Sequence, residues 1–318
     1  MNTISGLHHV TAIAGDPQRN LDFYVGVLGL RLVKRTVNFD DPGSYHFYFG
    51  DARGTPGTIL TFFPWPGGRR GHRGTAEVQA TAFVIPAESI GYWLNRLKEN
   101  HVPAEQAAAR FGGAVVRFAD PDGMPLELIG AEAGDEVQSW SESPVPAEHL
   151  LRGFHSVSAV LEGYERTARL LTETFGYQLV QETENRFRFA AQGNTGAGKF
   201  IDLLCAPGRQ RATGGAGSVH HIAFRTSDDA DQLQWRGKLV ELGYNVSPVM
   251  DRTYFHSIYF REPGGILFEI ATDTPGFTHD EKLEELGDHL RVPPWMEKAR
   301  AQIEEILPPI IVPKTSAS

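Results

Sequence analysis

The chain has 318 residues, of which 41% are hydrophobic and 22% charged, a composition typical of a soluble globular protein with about two domains of ordinary size. Its formal net charge of -9 argues against a general nucleic-acid or anionic-membrane binder. The sequence contains neither an apolar run typical of a transmembrane helix nor a start typical of a signal peptide. The single Cys205 excludes an internal disulfide and favours a reducing cytoplasm, so any metal site must use histidine and carboxylate ligands.

One pattern occurs four times along the chain: a strand, a helix and three further strands, closed by a hairpin with a glycine-containing turn. The four first strands are LHHVTAIA, VQATAFVI, FHSVSAVL and VHHIAFRT, beginning at Leu7, Val78, Phe154 and Val219. The helix that follows the first of them has an apolar face at helical spacing. The pattern predicts an α+β fold of four βαβββ modules.

The modules divide into two predicted domains, residues 1–130 with modules 1 and 2 and residues 151–273 with modules 3 and 4. Residues 131–150 are rich in Glu, Ser, Gly and Pro and are predicted to be a linker. Residues 274–318 are a predicted C-terminal tail of one or two charged amphipathic helices, interrupted by Pro293 and Pro294. The last residues of the tail are expected to be disordered.

Four such modules, over about Leu7 to Asp273, resemble the vicinal oxygen chelate superfamily of glyoxalases, bleomycin-resistance proteins and extradiol dioxygenases. The resemblance implies that modules pair and that each pair curls its strands into a half-open cupped barrel. It also implies that a metal in a cup takes its ligands from the first and last strands of the paired modules.

Side-chain alternation along a strand indicates which residues face the cup. In the two His-His pairs, the second histidines His9 and His221 face the cup, and the first histidines His8 and His220 face the helix side. Thr11, two residues after His9, shares the cup face. The second histidine of each pair is therefore the candidate metal ligand.

Alignment of the modules gives one cup position in each first strand and one in each last strand. The first-strand positions are His9, Ala80, Ser156 and His221, and the last-strand positions are Thr61, Glu127, Asp202 and Glu269. Pairing modules 1 with 2 gives a poor metal site, and pairing 3 with 4 gives one histidine with two carboxylates. Pairing 1 with 4 alone collects two histidines and one carboxylate.

The ligand set from that last pairing is His9, His221 and Glu269. It suits Fe(II), with Mn(II) as a second candidate, and leaves three coordination positions open. Glu269 stands in an otherwise apolar strand, where a carboxylate is costly to bury without a cation or hydrogen-bond partners. We therefore expect two half-open cupped barrels, with modules 1 and 4 paired around the metal, and no working metal between modules 2 and 3.

Several segments, tail included, resemble the ring-cleaving dioxygenases that act on hydroquinones: GLHHVTAI, VHHIAF, DRTYFHSIYFREPGGILFEIATDTPGF and LGDHLRVPPWMEKARAQIEEILPP. This resemblance implies that the metal is held by the same three residues. It implies further functional residues around them at His8, Thr11, His220, Arg252 and Tyr259.

In such a site Arg252 and Tyr259 would hold a substrate hydroxyl or stabilise developing negative charge. Thr11 would touch the substrate, and His8 and His220 would orient the ligand histidines from behind. His256, close to Arg252 in sequence, is a candidate for the pocket or for its rim.

The leading hypothesis is an Fe(II)-dependent dioxygenase of the extradiol type that opens a hydroquinone or related aromatic diol with O₂, with catechol as a variant substrate. A glyoxalase-like isomerase or transferase is an alternative, but it commonly uses a fourth carboxylate ligand where this chain has Thr61. A non-catalytic aromatic-ligand-binding protein is the third hypothesis and requires no metal ligands. Neither the ring substituents nor the oligomeric state follows from the sequence, and a homo-oligomer is an open expectation.

Overall fold

The computed structural model describes residues 3–131, 138–194 and 196–313. The linker prediction for residues 132–137 and the disorder prediction for residues 314–318 therefore concern residues outside the described part. No helix in the described ranges is long and apolar enough to span a membrane.

The first two modules each contain one helix and four strands. Module 1 comprises β1 (Leu7–Ala14), α1 (Pro17–Leu21) with a π-helical continuation (Asp22–Val27), β2 (Arg31–Asn38), β3 (Asp41–Gly50) and β4 (Ile59–Pro64). Module 2 comprises β5 (Glu77–Ile85), α2 (Ile90–Glu99), β6 (Ala104–Arg110), β7 (Gly113–Ala119) and β8 (Pro125–Gly130).

The last two modules repeat this order. Module 3 comprises β9 (Phe154–Leu161), α3 (Glu165–Arg169) with a π-helical continuation (Leu170–Thr174), β10 (Gln178–Thr183), β11 (Arg186–Ala190) and β12 (Phe200–Cys205). Module 4 comprises β13 (Ser218–Thr226), α4 (Asp229–Glu241), β14 (Met250–Asp251), β15 (Phe255–Arg261) and β16 (Leu267–Pro275).

The sixteen strands within the described residues form two eight-stranded sheets. One sheet contains modules 1 and 4 in the order β14-β15-β16-β13-β1-β4-β3-β2, and we call it the outer sheet because these modules come first and last in the chain. The other, the inner sheet, contains modules 2 and 3 in the order β10-β11-β12-β9-β5-β8-β7-β6. In each sheet the two first strands pair antiparallel at the centre, and each last strand lies parallel to the first strand of its own module. The predicted pairing of module 1 with module 4 is confirmed.

The helix side of the outer sheet forms part of the hydrophobic core. Ile222 and Phe224 of β13 are fully buried, as are Trp235 and Leu239 of α4. Each such apolar side chain contributes about 1.5–3 kcal/mol on burial. This packing holds the first strands in position and leaves their opposite face to the cup.

The tail covers the β2 edge of the outer sheet. Leu290 forms a parallel bridge with Arg35 of β2, and fully buried Lys34 forms ion pairs with Asp280 (2.6 Å) and Glu281. The tail contains one seven-residue α-helix, α5 (Arg300–Ile306), and short 3₁₀ turns in place of a longer helix before Pro293. An edge that would otherwise be open to pairing is thereby covered.

Candidate active site

The three predicted metal ligands meet in the cup of the outer sheet. His9 lies on β1, His221 on β13 and Glu269 on β16. The Nε2 atoms of His9 and His221 are 3.3 Å apart, and they lie 3.2 and 2.9 Å from Oε2 of Glu269. All three side chains are buried. Ligand atoms about 2.1 Å from one ion and at right angles to one another lie about 3 Å apart, so this cluster matches the spacing of one divalent ion.

The carboxylate of Glu269 is satisfied on one oxygen only. Oε1 accepts a hydrogen bond from Ser257 Oγ at 2.5 Å, whereas Oε2 is buried and lies beside the Nε2 atoms of His9 and His221. Burial alone would raise the pKa of Glu269, but His9 and His221 hold that pKa well below its usual range. A buried, ionised oxygen beside two imidazole nitrogens would be satisfied by one cation that all three atoms share.

Two β-bulges shape the surroundings of the ligand histidines. His8 is an extra residue in β1 and His220 an extra residue in β13, where the ladder between the two strands shifts by one. His8 Nδ1 lies 2.9 Å from Nδ1 of His9, and His220 Nδ1 lies 2.7 Å from Nδ1 of His221. If Nε2 of each ligand is free to bind an ion, its Nδ1 carries the proton and donates to the neighbouring histidine.

The bulges also correct one expectation about side-chain direction. Strict alternation placed His220 against the helix, but His220 is exposed and lines the cavity at the cup. The extra residue interrupts the two-residue period, so neighbouring side chains no longer point to opposite faces. His8 is buried against Phe255, with 5.0 Å between the ring centroids.

A cavity of about 390 Å³ opens above the cluster. Its wall is mainly apolar and aromatic and includes Ile13, Phe39, Tyr48, Phe63, Trp65, Phe255 and Leu267. Such a wall suits a flat apolar ring with a few polar substituents. Thr11, Arg252 and Tyr259 line the same cavity.

Arg252 and Tyr259 are in direct contact at this wall. Arg252 Nε donates to the Tyr259 hydroxyl at 3.2 Å, and the guanidinium also lies 3.4 Å from Oδ2 of Asp40 in the β2–β3 hairpin. Burial, with Glu269 nearby, raises the pKa of Tyr259. The Tyr259 phenol is therefore a neutral hydrogen-bond donor beside a fixed positive charge.

Thr61 lies where a fourth ligand would come from. It pairs with Thr11 across β4 and β1, just as Glu269 pairs with Ala223 across β16 and β13. Its hydroxyl, however, is hydrogen-bonded to Thr11 at 2.9 Å and to His46 at 2.9 Å.

Three residues near the cluster were not predicted. Ser257, which donates a hydrogen bond to Glu269, and Phe255 lie two and four residues before Tyr259 on β15. Since alternate residues of a strand share a face, the position of Tyr259 could have predicted both. His46 could be predicted only if β3 were known to lie beside β4. His256 does not line this cavity, and its Nδ1 lies 2.5 Å from Asp229.

The inner sheet has carboxylates at the equivalent positions, but they are ion-paired. Glu127 is held by Arg110 and Arg117, and Asp202 by Arg186 and Arg188. Ala80 and Ser156 occupy the first-strand positions. His9, His221 and Glu269 are the one cluster with metal-ligand spacing within residues 3–131, 138–194 and 196–313.

Fold and cluster together define a protein of paired βαβββ modules with a candidate metal centre in one of its two cups. The family model of the Glyoxalase/Bleomycin resistance protein/Dioxygenase superfamily matches residues 6–128 and 153–270, and the chain belongs to this superfamily.

Full-length relatives are similar over nearly the whole chain. The Bacillus subtilis protein named "Putative ring-cleaving dioxygenase MhqO" is 48% identical, covering 96% of this chain and 97% of that protein. The "Chlorohydroquinone/hydroquinone 1,2-dioxygenase" of Sphingobium indicum is 36% identical, covering 94% of this chain and 95% of that protein. A crystal structure titled as a putative dioxygenase from Bacillus subtilis has a TM-score of 0.93 at 46% identity, covering 99% of this chain and 100% of that chain.

Proposed function

We propose that the protein is an Fe(II)-dependent ring-cleaving dioxygenase of the extradiol type, which opens a hydroquinone or related aromatic diol with O₂. The observation that carries the proposal is the buried cluster of His9, His221 and Glu269 at the base of a cavity with aromatic walls. Two histidines and one carboxylate leave open positions for both a diol oxygen and O₂. Mn(II) is the alternative ion for this ligand set.

The same three side chains would hold the ion through Nε2, Nε2 and Oε2. Bound there, Fe(II) would lower the pKa of the diol hydroxyl and allow electrons to pass from the ring to O₂. Both atoms of O₂ enter the product, and the ring carbon–carbon bond beside one hydroxyl breaks, so no separate reductant is required.

The chain's own residues position the reactants. Arg252 and Tyr259 present a positive charge and a neutral donor where negative charge develops on oxygen. Thr11 offers a hydroxyl from the wall, and the aromatic side chains orient the ring and exclude water. His8 and His220 fix the ring orientation of the two ligand histidines.

The names of two relatives support this substrate class. The Sphingobium indicum protein is named for chlorohydroquinone and hydroquinone, and the Bacillus subtilis protein is named for ring cleavage. Their alignment with this chain is nearly end to end, so the likeness extends over both sheets and the tail.

Oxygen uptake tests the proposal. Protein purified without oxygen and loaded with Fe(II) should consume O₂ with hydroquinone, methylhydroquinone or chlorohydroquinone, with loss of the aromatic absorbance. The variant E269Q should show no uptake. Uptake with catechol alone would move the substrate class to catechols, and absence of uptake with every diol would contradict the proposal.

An isomerase of the glyoxalase type has less support here, because Thr61 is engaged by Thr11 and His46 and supplies no carboxylate. Turnover of a hemithioacetal would favour that class. Diol binding that is unchanged in H9A protein without metal would favour a binding protein. Assembly into a homo-oligomer and a cytoplasmic location remain predictions, to be checked by light scattering and cell fractionation.

A further inference from the structure

A chain of hydrogen bonds runs through the cup wall on the module 1 side. The Tyr48 hydroxyl lies 3.0 Å from His46 Nδ1, and His46 Nε2 lies 2.9 Å from Thr61 Oγ1. Thr61 Oγ1 donates to Thr11 Oγ1 at 2.9 Å. Three strands, β3, β4 and β1, thus contribute to one connected set of polar groups.

These groups differ in their access to the cavity. His46, Tyr48 and Thr11 line it, whereas Thr61 is fully buried behind them. The imidazole of His46 contacts the rings of Tyr48 and Phe63, with centroids 4.1 and 4.2 Å away. These two contacts and the two hydrogen bonds restrain the ring, so its nitrogens stay aimed at Tyr48 and Thr61.

With the Thr61 hydroxyl donating to Thr11, the proton count fixes the direction of the rest of the chain. Burial lowers the pKa of His46, so the ring is neutral and has one N–H and one acceptor nitrogen. Thr61 uses its single proton on Thr11, so it must accept from His46 Nε2–H. His46 Nδ1 then accepts from the Tyr48 hydroxyl.

Thr11 stands at the end of this chain. Its oxygen accepts from Thr61, so its own proton is free to donate into the cavity. Thr11 lies opposite His221 in the β1–β13 ladder, which puts that donor beside the candidate metal centre.

We propose that His46 is a positioning residue that acts through Thr61 to turn the Thr11 hydroxyl toward an oxygen of the bound aromatic diol. The proposal rests on the proposed dioxygenase function for the identity of the diol. Thr61 occupies the position from which a fourth metal ligand would come. In this proposal Thr61 holds no metal and instead orients the substrate, because it sets the direction of the hydrogen bond to Thr11.

Two pairs of variants test the proposal through anaerobic binding of hydroquinone to the metal-loaded protein. T61V keeps the shape of the side chain but can neither accept from His46 nor donate to Thr11, and T61S keeps both. H46L removes the donor, and H46Q keeps an N–H at the Nε2 position. T61V and H46L should each raise the hydroquinone Kd about tenfold, the effect of one lost hydrogen bond, whereas T61S and H46Q should stay within about threefold of wild type.

The double variant H46L/T61V separates a relay from direct contact. If His46 acts through Thr61, the double variant should bind no more weakly than T61V alone. If His46 touches the diol itself, H46L should weaken binding while T61V has no effect, and that result would overturn the proposal. Metal content, measured alongside, should remain at the wild-type value in all four single variants, and a cooperative thermal transition shows that each variant is folded.

Nitrogen NMR of the metal-free wild-type protein gives a readout that depends on neither metal nor turnover. His46 should be neutral with its proton on Nε2, and T61V should change that signal. A proton on Nδ1, or a charged ring at neutral pH, would reverse the chain and overturn the proposal. Failure of the dioxygenase function would instead appear as wild-type protein that keeps this tautomer but consumes no O₂.

Discussion

His8 and His220 occupy matching places in the two central strands of the outer sheet. Each is the extra residue of a β-bulge, and each contacts Nδ1 of the ligand histidine that follows it. The two candidate imidazole ligands are thus supported in the same way from both modules. The symmetry ends at the last strands, where Glu269 of β16 and Thr61 of β4 occupy equivalent positions.

Substitution of the support histidines should weaken metal binding unequally. H8L removes a buried acceptor for the His9 Nδ1 proton, so metal affinity should fall about 10–100-fold. H220L should have a smaller effect, because His220 is exposed and water can replace its nitrogen. Competition with a chelating indicator measures both affinities. H8N, which keeps an acceptor near the same position, serves as the control, and equal losses in H8L and H220L would contradict the assignment.

Metal should stabilise the folded protein through Glu269. At a metal concentration 100 times Kd, linkage raises the free energy of unfolding by about 2.7 kcal/mol, seen as a metal-dependent rise in Tm. E269Q should abolish that rise.

The matched control for E269Q is D202N in the inner sheet. Asp202 is buried and pairs with two arginines, so D202N should lower Tm yet leave the rise with metal intact. A metal-dependent rise that survives in E269Q would place the ion elsewhere.

Tyr259 should act as a neutral donor over the working pH range. Its pKa is raised above the ordinary value of 10.0, so the phenol loses its proton only above that pH and causes no loss of activity below it. Y259F should lower kcat/KM on the order of a hundredfold with unchanged metal content. It should leave the shape of the pH profile below pH 10 unchanged. Steady-state oxygen uptake measures this, with Y244F, remote from the cavity, as the control.

Lys34 should be a principal attachment point of the tail. K34M leaves buried Glu281 and half-buried Asp280 without their shared cation, and we expect a loss of about 3–5 kcal/mol in the free energy of unfolding. Urea denaturation measures it. K282M, in an exposed pair with Glu285 on the same tail, should change stability by less than about 1 kcal/mol. Similar effects of the two variants would mean that the buried pair does not hold the tail.

Sequence patterns predicted the module pairing and the meeting of His9, His221 and Glu269, because both depend on residues that repeat at fixed places. The two His-His motifs, the glycine turns and one carboxylate in an apolar strand determine which modules must meet. The bulges at His8 and His220 were not predictable in this way, since an extra residue is defined only against its partner strand. The link from His46 to Thr11 and the contact of Arg252 with Asp40 likewise depend on which strands and hairpins become neighbours.

Modules 2 and 3 are consecutive in the chain and pair with each other. In sequence they lie between modules 1 and 4, which form the other pair. This nesting sets the order in which a nascent chain can complete each half. His9 leaves the ribosome 212 residues before His221, and Glu269 follows later still, whereas both partners of the inner sheet are already made. A chain that ends before β16 therefore contains every strand of the inner sheet but lacks Glu269, the third candidate ligand.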